Sequence, residues 1–196
     1  MTPTFALFVP CAILGALSWT FTEYVLHRFN GHEMKGRTRF SREHLAHHTR
    51  PDTFAPTAYK LLTAGIVLVP MLTVTRGLLD VLGVAFTVGF GLAYLGYEVL
   101  HRRIHTHAPL NQYGAWARRH HFHHHFNAPH HNHGVTSDLW DRVFGTLAPV
   151  EEVRVPRRHA PHWMLDESGL SLHPDFHGLY HLRGRGQPGF GAPSTP

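Results

Sequence analysis

Two well-separated segments of this chain carry the pattern HxxHH, as HLAHH from His44 to His48 and as HFHHH from His121 to His125. Residues three and four apart share one face of an α-helix, so each triplet points three imidazoles the same way. Neutral imidazole is the commonest protein metal ligand. Two such triplets, far apart in sequence, ask to be folded onto one site, and that demand narrows the folds open to the chain. Two smaller groups join them. His101 and His105 stand at i and i+4. His27 and His32 lie five apart where an apolar run meets Asn30-Gly31, so one is expected on a helix and the other just past its end.

The apolar stretches decide what carries these groups. From Phe5 to Leu26 the chain is almost wholly apolar, with Glu23 its only charge, and about 20 such residues span a bilayer. No Lys or Arg precedes this run and no small-residue cleavage site follows it, so it reads as a retained helix and not a signal peptide. Leu61 to Thr75 and Leu78 to Leu100, separated by Arg76-Gly77, read as a helical hairpin whose first arm is short for a full span. Leu78 to His105, at about 1.5 Å per residue, runs roughly 40 Å against a hydrocarbon core of about 30 Å. The turns bearing His101 and His105 should therefore stand out of the membrane.

Charge sets the topology. Arg28 to Lys60 and everything after Leu100 are rich in Lys and Arg, whereas the first residues and the Arg76 turn carry little. The positive-inside rule places both polar segments in the cytoplasm and gathers the histidines on that side. The 196 residues thus predict an all-α integral membrane helical bundle, three to four membrane helices under a cytosolic histidine-rich helical cap. Residues 1–150 would form that domain. Residues 151–196 would form a cytosolic extension whose end, about 184–196, is disordered. Its histidines, His159, His162, His173, His177 and His181, share no helical spacing and read as surface or structural residues.

Of the 21 histidines, ten form the spaced groups: His27, His32, His44, His47, His48, His101, His105, His121, His124 and His125. Ten imidazoles exceed what one ion takes and suit two ions with four or five each. Carboxylate-bridged di-metal bundles need paired Glu-x-x-His motifs, and only Glu98 with His101 supplies one. No HExxH is present. The single cysteine, Cys11, excludes an internal disulfide and a thiolate cluster. A net charge of +5 is modest, and no nucleic-acid partner is expected. A different class remains open, a histidine-rich membrane metal-binding or transport protein, to whose pool His107, His120, His123, His130, His131 and His133 would add. A transporter, however, places polar ligands within its spans, and these spans hold histidine only at their ends.

The stretches EYVLHRFNGH, HLAHH, YEVLHRRIH, HHFHHHF and GVTSDLWDRVFGT, in that order from about Glu23 to Thr146, resemble the ordered motifs of the fatty acid hydroxylase superfamily, which includes sterol desaturases and fatty acid 2-hydroxylases. The resemblance implies a cytosolic di-metal centre, taken to be di-iron, over a membrane base of four helices, with the ten histidines as its ligands. The chain departs from the family in showing three clear spans and no cytochrome b5-like domain. Zinc could replace iron in purified samples.

One register is open: His120, His123 and His124 also spell HxxHH. The family's spacing to GVTS favours the His121 frame and puts His133 in an aromatic's slot. Within GVTSDLWDRVFGT, Thr136 or Ser137 can cap a short helix that Gly145 ends. Asp141 can instead accept a hydrogen bond from a ligand's second ring nitrogen, and Glu98 is a further candidate for such support. The implied chemistry is O2-dependent hydroxylation, or desaturation, of an unactivated C–H bond in a bilayer lipid, either a fatty acyl chain or a sterol-like substrate. No flavin or nicotinamide motif is present, and GFGLAYLG lies inside a span. The two electrons are therefore expected from a separate donor of ferredoxin or cytochrome b5 type, docking near Arg102, Arg103, Arg118 and Arg119.

Overall fold

A computed structural model describes residues 3–184. The tail expected to be disordered lies outside the described residues from 185 onward. Helix α1 spans Pro3–Val25 and passes into a π-helix, Leu26–Glu33, followed by α2 (Arg39–Thr49), α3 (Thr57–Leu79), α4 (Val81–Thr106), α5 (Gln112–Phe126) and the short α6 (Leu139–Val143). Strands β1 (Val153–Pro156) and β2 (Tyr180–Arg183) pair in parallel near the C-terminus. Among the described residues three helices are long and apolar enough to cross a membrane: Ala6–Glu33, Thr57–Leu79 and Val81–Thr106. Helix α3 buries no residue, and Leu61, Leu62, Ile66 and Val69 are all more than half exposed. A helix apolar on every side and uncovered suits lipid and not water. The chain is an integral membrane protein.

By contact the chain divides into two compact units, Met1–Glu23 with Ala55–Val99, and Tyr24–Phe54 with Leu100–Pro196. In the first unit, α1 and α4 meet backbone to backbone. A Cβ on Gly15 would sit 2.0 Å from the Phe86 carbonyl, and one on Gly89 would sit 1.9 Å from that of Ala12. Small residues allow this approach, and close packing is what joins helices where lipid removes the hydrophobic drive. Trp19 packs edge-on against Phe90 and Tyr94, with ring centroids 5.4 and 4.9 Å apart. Lys60 on α3 pairs with Glu98 on α4.

The hairpin differs from the sequence reading. Arg76 and Gly77 stay helical, α3 reaches a full 23 residues, and the reversal falls on Asp80 at φ 50°. A backbone in lipid keeps its internal hydrogen bonds, so one glycine does not end the helix. The turn is sealed where Thr75 Oγ1 donates to the Gly83 carbonyl at 3.0 Å.

In the second unit, the π-helix and α2 are tied across a tight turn through Lys35 and Gly36, both at positive φ. Thr38 caps α2 by accepting from the Ser41 amide at 3.0 Å, and Ser41 Oγ donates to the Gly31 carbonyl at 2.8 Å. The C-terminal segment, expected as an appendage, packs on α5. Val153, Val155, Ala160, Met164 and Tyr180 are buried, with Tyr180 edge-on to Phe122 of α5. Asn127 at the end of α5 both donates to and accepts from the Arg154 backbone. The short parallel strand pair sits within a chain that is otherwise mostly helical, the all-α membrane bundle expected from the sequence.

Candidate metal centre

The ten spaced histidines collect into two groups of five, all within the second unit. His27, His32, His44, His48 and His124 form one; His47, His101, His105, His121 and His125 form the other. Within each group the nearest ring nitrogens lie within 4.8 Å of one another. The two HxxHH triplets divide reciprocally. On α2 the i, i+4 pair His44 and His48 enters the first group and His47 the second. On α5 the i, i+4 pair His121 and His125 enters the second and His124 the first. Both triplets present one face, and facing helices split that face between two centres. His101 and His105 on the last turns of α4 complete the second group.

His27 and His32 complete the first, and neither lies where the spacing suggested. Both sit in the π-helix, and neither falls beyond a helix end. A π-helix bonds i to i+5, so residues five apart come onto one side. Gly31 between them leaves room for the His44 ring, whose Cδ2 would lie 2.9 Å from any Cβ there.

In the first group four Nε2 atoms make a closed ring: His32 to His44 at 2.9 Å, His44 to His48 at 3.1 Å, His48 to His124 at 3.2 Å and His124 to His32 at 3.0 Å. A square of that edge has its centre about 2.2 Å from each corner, close to the distance at which imidazole nitrogen binds a first-row metal. The buried Nε2 of His27 has no hydrogen-bond partner. In the second group Nε2 of His105 lies 3.2 Å from that of His47 and 3.1 Å from that of His121, and His47 lies 3.2 Å from His101. Both ring nitrogens of buried His125 are unpartnered.

Hydrogen bonding on the far side of the rings fixes the tautomers. The Nδ1–H groups of His47 and His124 donate to the carbonyls of Thr53 and His131 at 2.8 and 2.7 Å, and that of His27 donates to the carbonyl of His133. Each Nε2 then carries its lone pair inward, toward other lone pairs. Without a cation such an arrangement repels itself; with one it is a ligand set. Burial, and then the neighbouring imidazoles, push His44, His121, His124 and His125 well below the ordinary histidine value and His48 to about 2. The rings are neutral at physiological pH, the form that binds metal. The residues present fit two metal ions.

The remaining candidates fall elsewhere. His120 is outside both groups; its ring stacks on Trp116 at 5.2 Å and its Nε2 lies 3.6 Å from Asp141. Asp141 is fully buried but meets none of the ten imidazoles. It accepts from the backbone amides of His133 and Gly134 at 2.9 and 2.8 Å and from the Thr146 hydroxyl at 2.7 Å. The direct bond from Asp141 to a ligand ring expected from sequence is replaced by one that runs through the His133 peptide. Glu98 pairs with Lys60 in the first unit. Ser137 Oγ, one residue before the Asp138 N-cap of α6, accepts from the Leu139 amide at 3.1 Å. Arg118 is a correction: it is 2% exposed. Its guanidinium donates to the carbonyls of Ile104, Arg103 and His107 at the end of α4 and lies 4.2 Å from the Trp163 ring. It serves as a helix cap and offers no surface charge. Arg119 likewise donates to the Val150 and Glu151 carbonyls, while Arg102 is exposed. The carbonyls of Thr53, His131 and His133 had no sequence signal, because any residue supplies a carbonyl.

Comparison with known proteins follows the same residues. Residues 12–146 match the family described as fatty acid hydroxylase. The chain is 31% identical over 151 residues to the dihydroceramide fatty acyl 2-hydroxylase FAH1 of Arabidopsis thaliana, covering 74% of this chain and 64% of that protein. It is 31% identical to the fatty acid 2-hydroxylase of Mus musculus, over 74% of this chain and 41% of that one. The solved hydroxylase domain of scs7p superposes with a TM-score of 0.55 at 27% identity, over 71% of this chain and 58% of that chain. The chain therefore spans between about two fifths and just under two thirds of the relatives it matches.

Proposed function

The chain belongs to the fatty acid hydroxylase family, and on that premise we propose that it hydroxylates a fatty acyl chain of a membrane lipid, using O2 and two electrons from a separate donor. The observation that carries this reading is the pair of five-imidazole groups, in which His27, His47 and His124 are held with Nε2 inward by their Nδ1–H bonds. The relatives' names point to carbon 2 of the acyl chain and favour hydroxylation over desaturation. The ten histidines are the ligands of two iron ions, five to each, with zinc able to take their place in purified samples. When bound, the irons supply the redox chemistry that an unactivated C–H bond requires and amino-acid side chains lack.

The chain's own part is to hold and orient. Nδ1–H bonds to three carbonyls lock His27, His47 and His124 against rotation, so their lone pairs need no rearrangement when a cation enters. Burial excludes water from the rings and prevents their protonation, which would expel a metal. All-round apolar helices place the protein in the bilayer with its substrate, and the histidines are assigned to the cytoplasmic face by the flanking Lys and Arg. A carrier that sequesters metal would use interchangeable surface imidazoles. Here all ten are buried or half-buried, each in one of two defined groups, which supports a fixed centre.

The test is expression of the full chain in a host lacking 2-hydroxy acyl lipids, followed by lipid analysis. The reading predicts O2-dependent 2-hydroxy acyl chains, absent when His48 or His125 is replaced by Ala. Two bound ions with no new hydroxylated lipid would favour the carrier.

A further inference from the structure

Two ligands of the first group, His27 and His124, lean on carbonyls only two residues apart in one loop. His124 Nδ1–H donates to the His131 carbonyl at 2.7 Å, and His27 Nδ1–H donates to the His133 carbonyl. The residue between them, Asn132, is fully buried and holds a left-handed φ of 58°. Its backbone amide and both side-chain polar atoms are hydrogen-bonded. Its amide donates to the Thr146 carbonyl at 2.9 Å, its side-chain oxygen accepts from the Ala148 amide at 2.7 Å, and its side-chain nitrogen donates to the Ala148 carbonyl at 3.2 Å. The next two amides, of His133 and Gly134, are held by the two oxygens of Asp141. A Cβ on Gly134 would sit 2.0 Å from the Ser137 carbonyl, so the chain passes this point only as glycine.

We infer that Asn132 and Asp141 are positioning residues for the first metal ion alone: they clamp the peptide 131–134 so that its two carbonyls aim His124 and His27. This rests on the reading of the ten histidines as metal ligands. Neither side chain touches a ligand ring. A peptide held by five hydrogen bonds to the segment 141–148 cannot swing, so it acts as a fixed acceptor pair. The His47 ring of the second group takes its carbonyl from Thr53, on a different segment. The two ions therefore depend on different supports, and damage to the clamp should be felt by one ion only. Outer supports of this kind are worth roughly 10- to 100-fold in metal affinity.

The test is chelator competition on the detergent-solubilised full chain, with bound metal counted by mass spectrometry. Wild type releasing two ions per chain establishes the ligand reading; wild type holding none would end that reading before the clamp is tested. Asp141→Asn keeps the shape but replaces one accepting oxygen with an NH2 that meets a backbone amide donor to donor. Asn132→Gly keeps the left-handed φ and removes the side-chain bonds, so it serves even if Asp141→Asn fails to fold. Each is placed in a His44→Ala background, which leaves the second ion, and a His101→Ala background, which leaves the first. The clamp predicts a roughly 10- to 100-fold weaker ion in the His101→Ala background and an unchanged one in the His44→Ala background. Equal weakening in both, or none in either, would overturn it.

Discussion

Each triplet histidine has a stated allegiance, and that makes the residue scale testable. His48→Ala should remove one ion and His125→Ala the other, each with loss of hydroxylation, by metal counting and lipid analysis. His120→Ala should keep both, because its ring stacks on Trp116 outside either group. An ion lost from His120→Ala and kept in His121→Ala would shift the register by one residue. His173→Ala and His181→Ala, in the C-terminal segment, should change neither. That ten particular imidazoles would meet could be read from spacing, since i, i+3 and i+4 positions share a helix face wherever the helix goes. Their division between two groups could not. Which neighbour a shared face meets is decided by the helix opposite, and no local pattern in HLAHH or HFHHH records it. The supports were hidden for another reason: Asp141 works through a backbone carbonyl, and carbonyls carry no residue identity.

At the scale of elements, the π-helix and the α1/α4 contact bear the argument. Removing exposed Phe29 shortens the Leu26–Glu33 segment by one residue and brings His27 and His32 to α-helical spacing. One ion should be lost while the other stays. Five-residue spacing was visible in the sequence but read as a helix end, because Asn30-Gly31 is ordinary stop chemistry. The hairpin misled similarly: Gly77 suggested a turn, yet apolar surroundings held the helix to Asp80. Gly89→Leu would drive a side chain into the Ala12 carbonyl, 1.9 Å from the Cβ position. Overpacking of this kind costs about 1–3 kcal/mol or more. A lowered unfolding temperature in detergent checks it; an unchanged one would mean that α1 and α4 do not rely on this contact.

Across the whole molecule, the spans and their order were legible because about 20 apolar residues are a strong signal. The C-terminal segment was not, because its few buried residues, Val153, Val155, Met164 and Tyr180, are too scattered to announce a surface that braces α5. The proposed electron donor belongs to this scale. With Arg118 buried as a helix cap, exposed Arg102 is the arginine left of that set for the proposed acidic donor to meet. Arg102→Glu should lower donor-driven turnover and flatten its salt dependence while both ions stay bound, since steering between opposite charges weakens with ionic strength. Unchanged turnover at low salt would place docking elsewhere. The central claim, that two histidine-bound irons use O2 to hydroxylate an acyl chain, is met most directly by isotope. Purified, iron-loaded protein with a reduced donor and a lipid substrate is exposed to ¹⁸O2, and the product is read by mass spectrometry. The account predicts one ¹⁸O in each new acyl hydroxyl and none from the His48→Ala protein. An unlabelled hydroxyl, or no product from protein holding two irons, would contradict it.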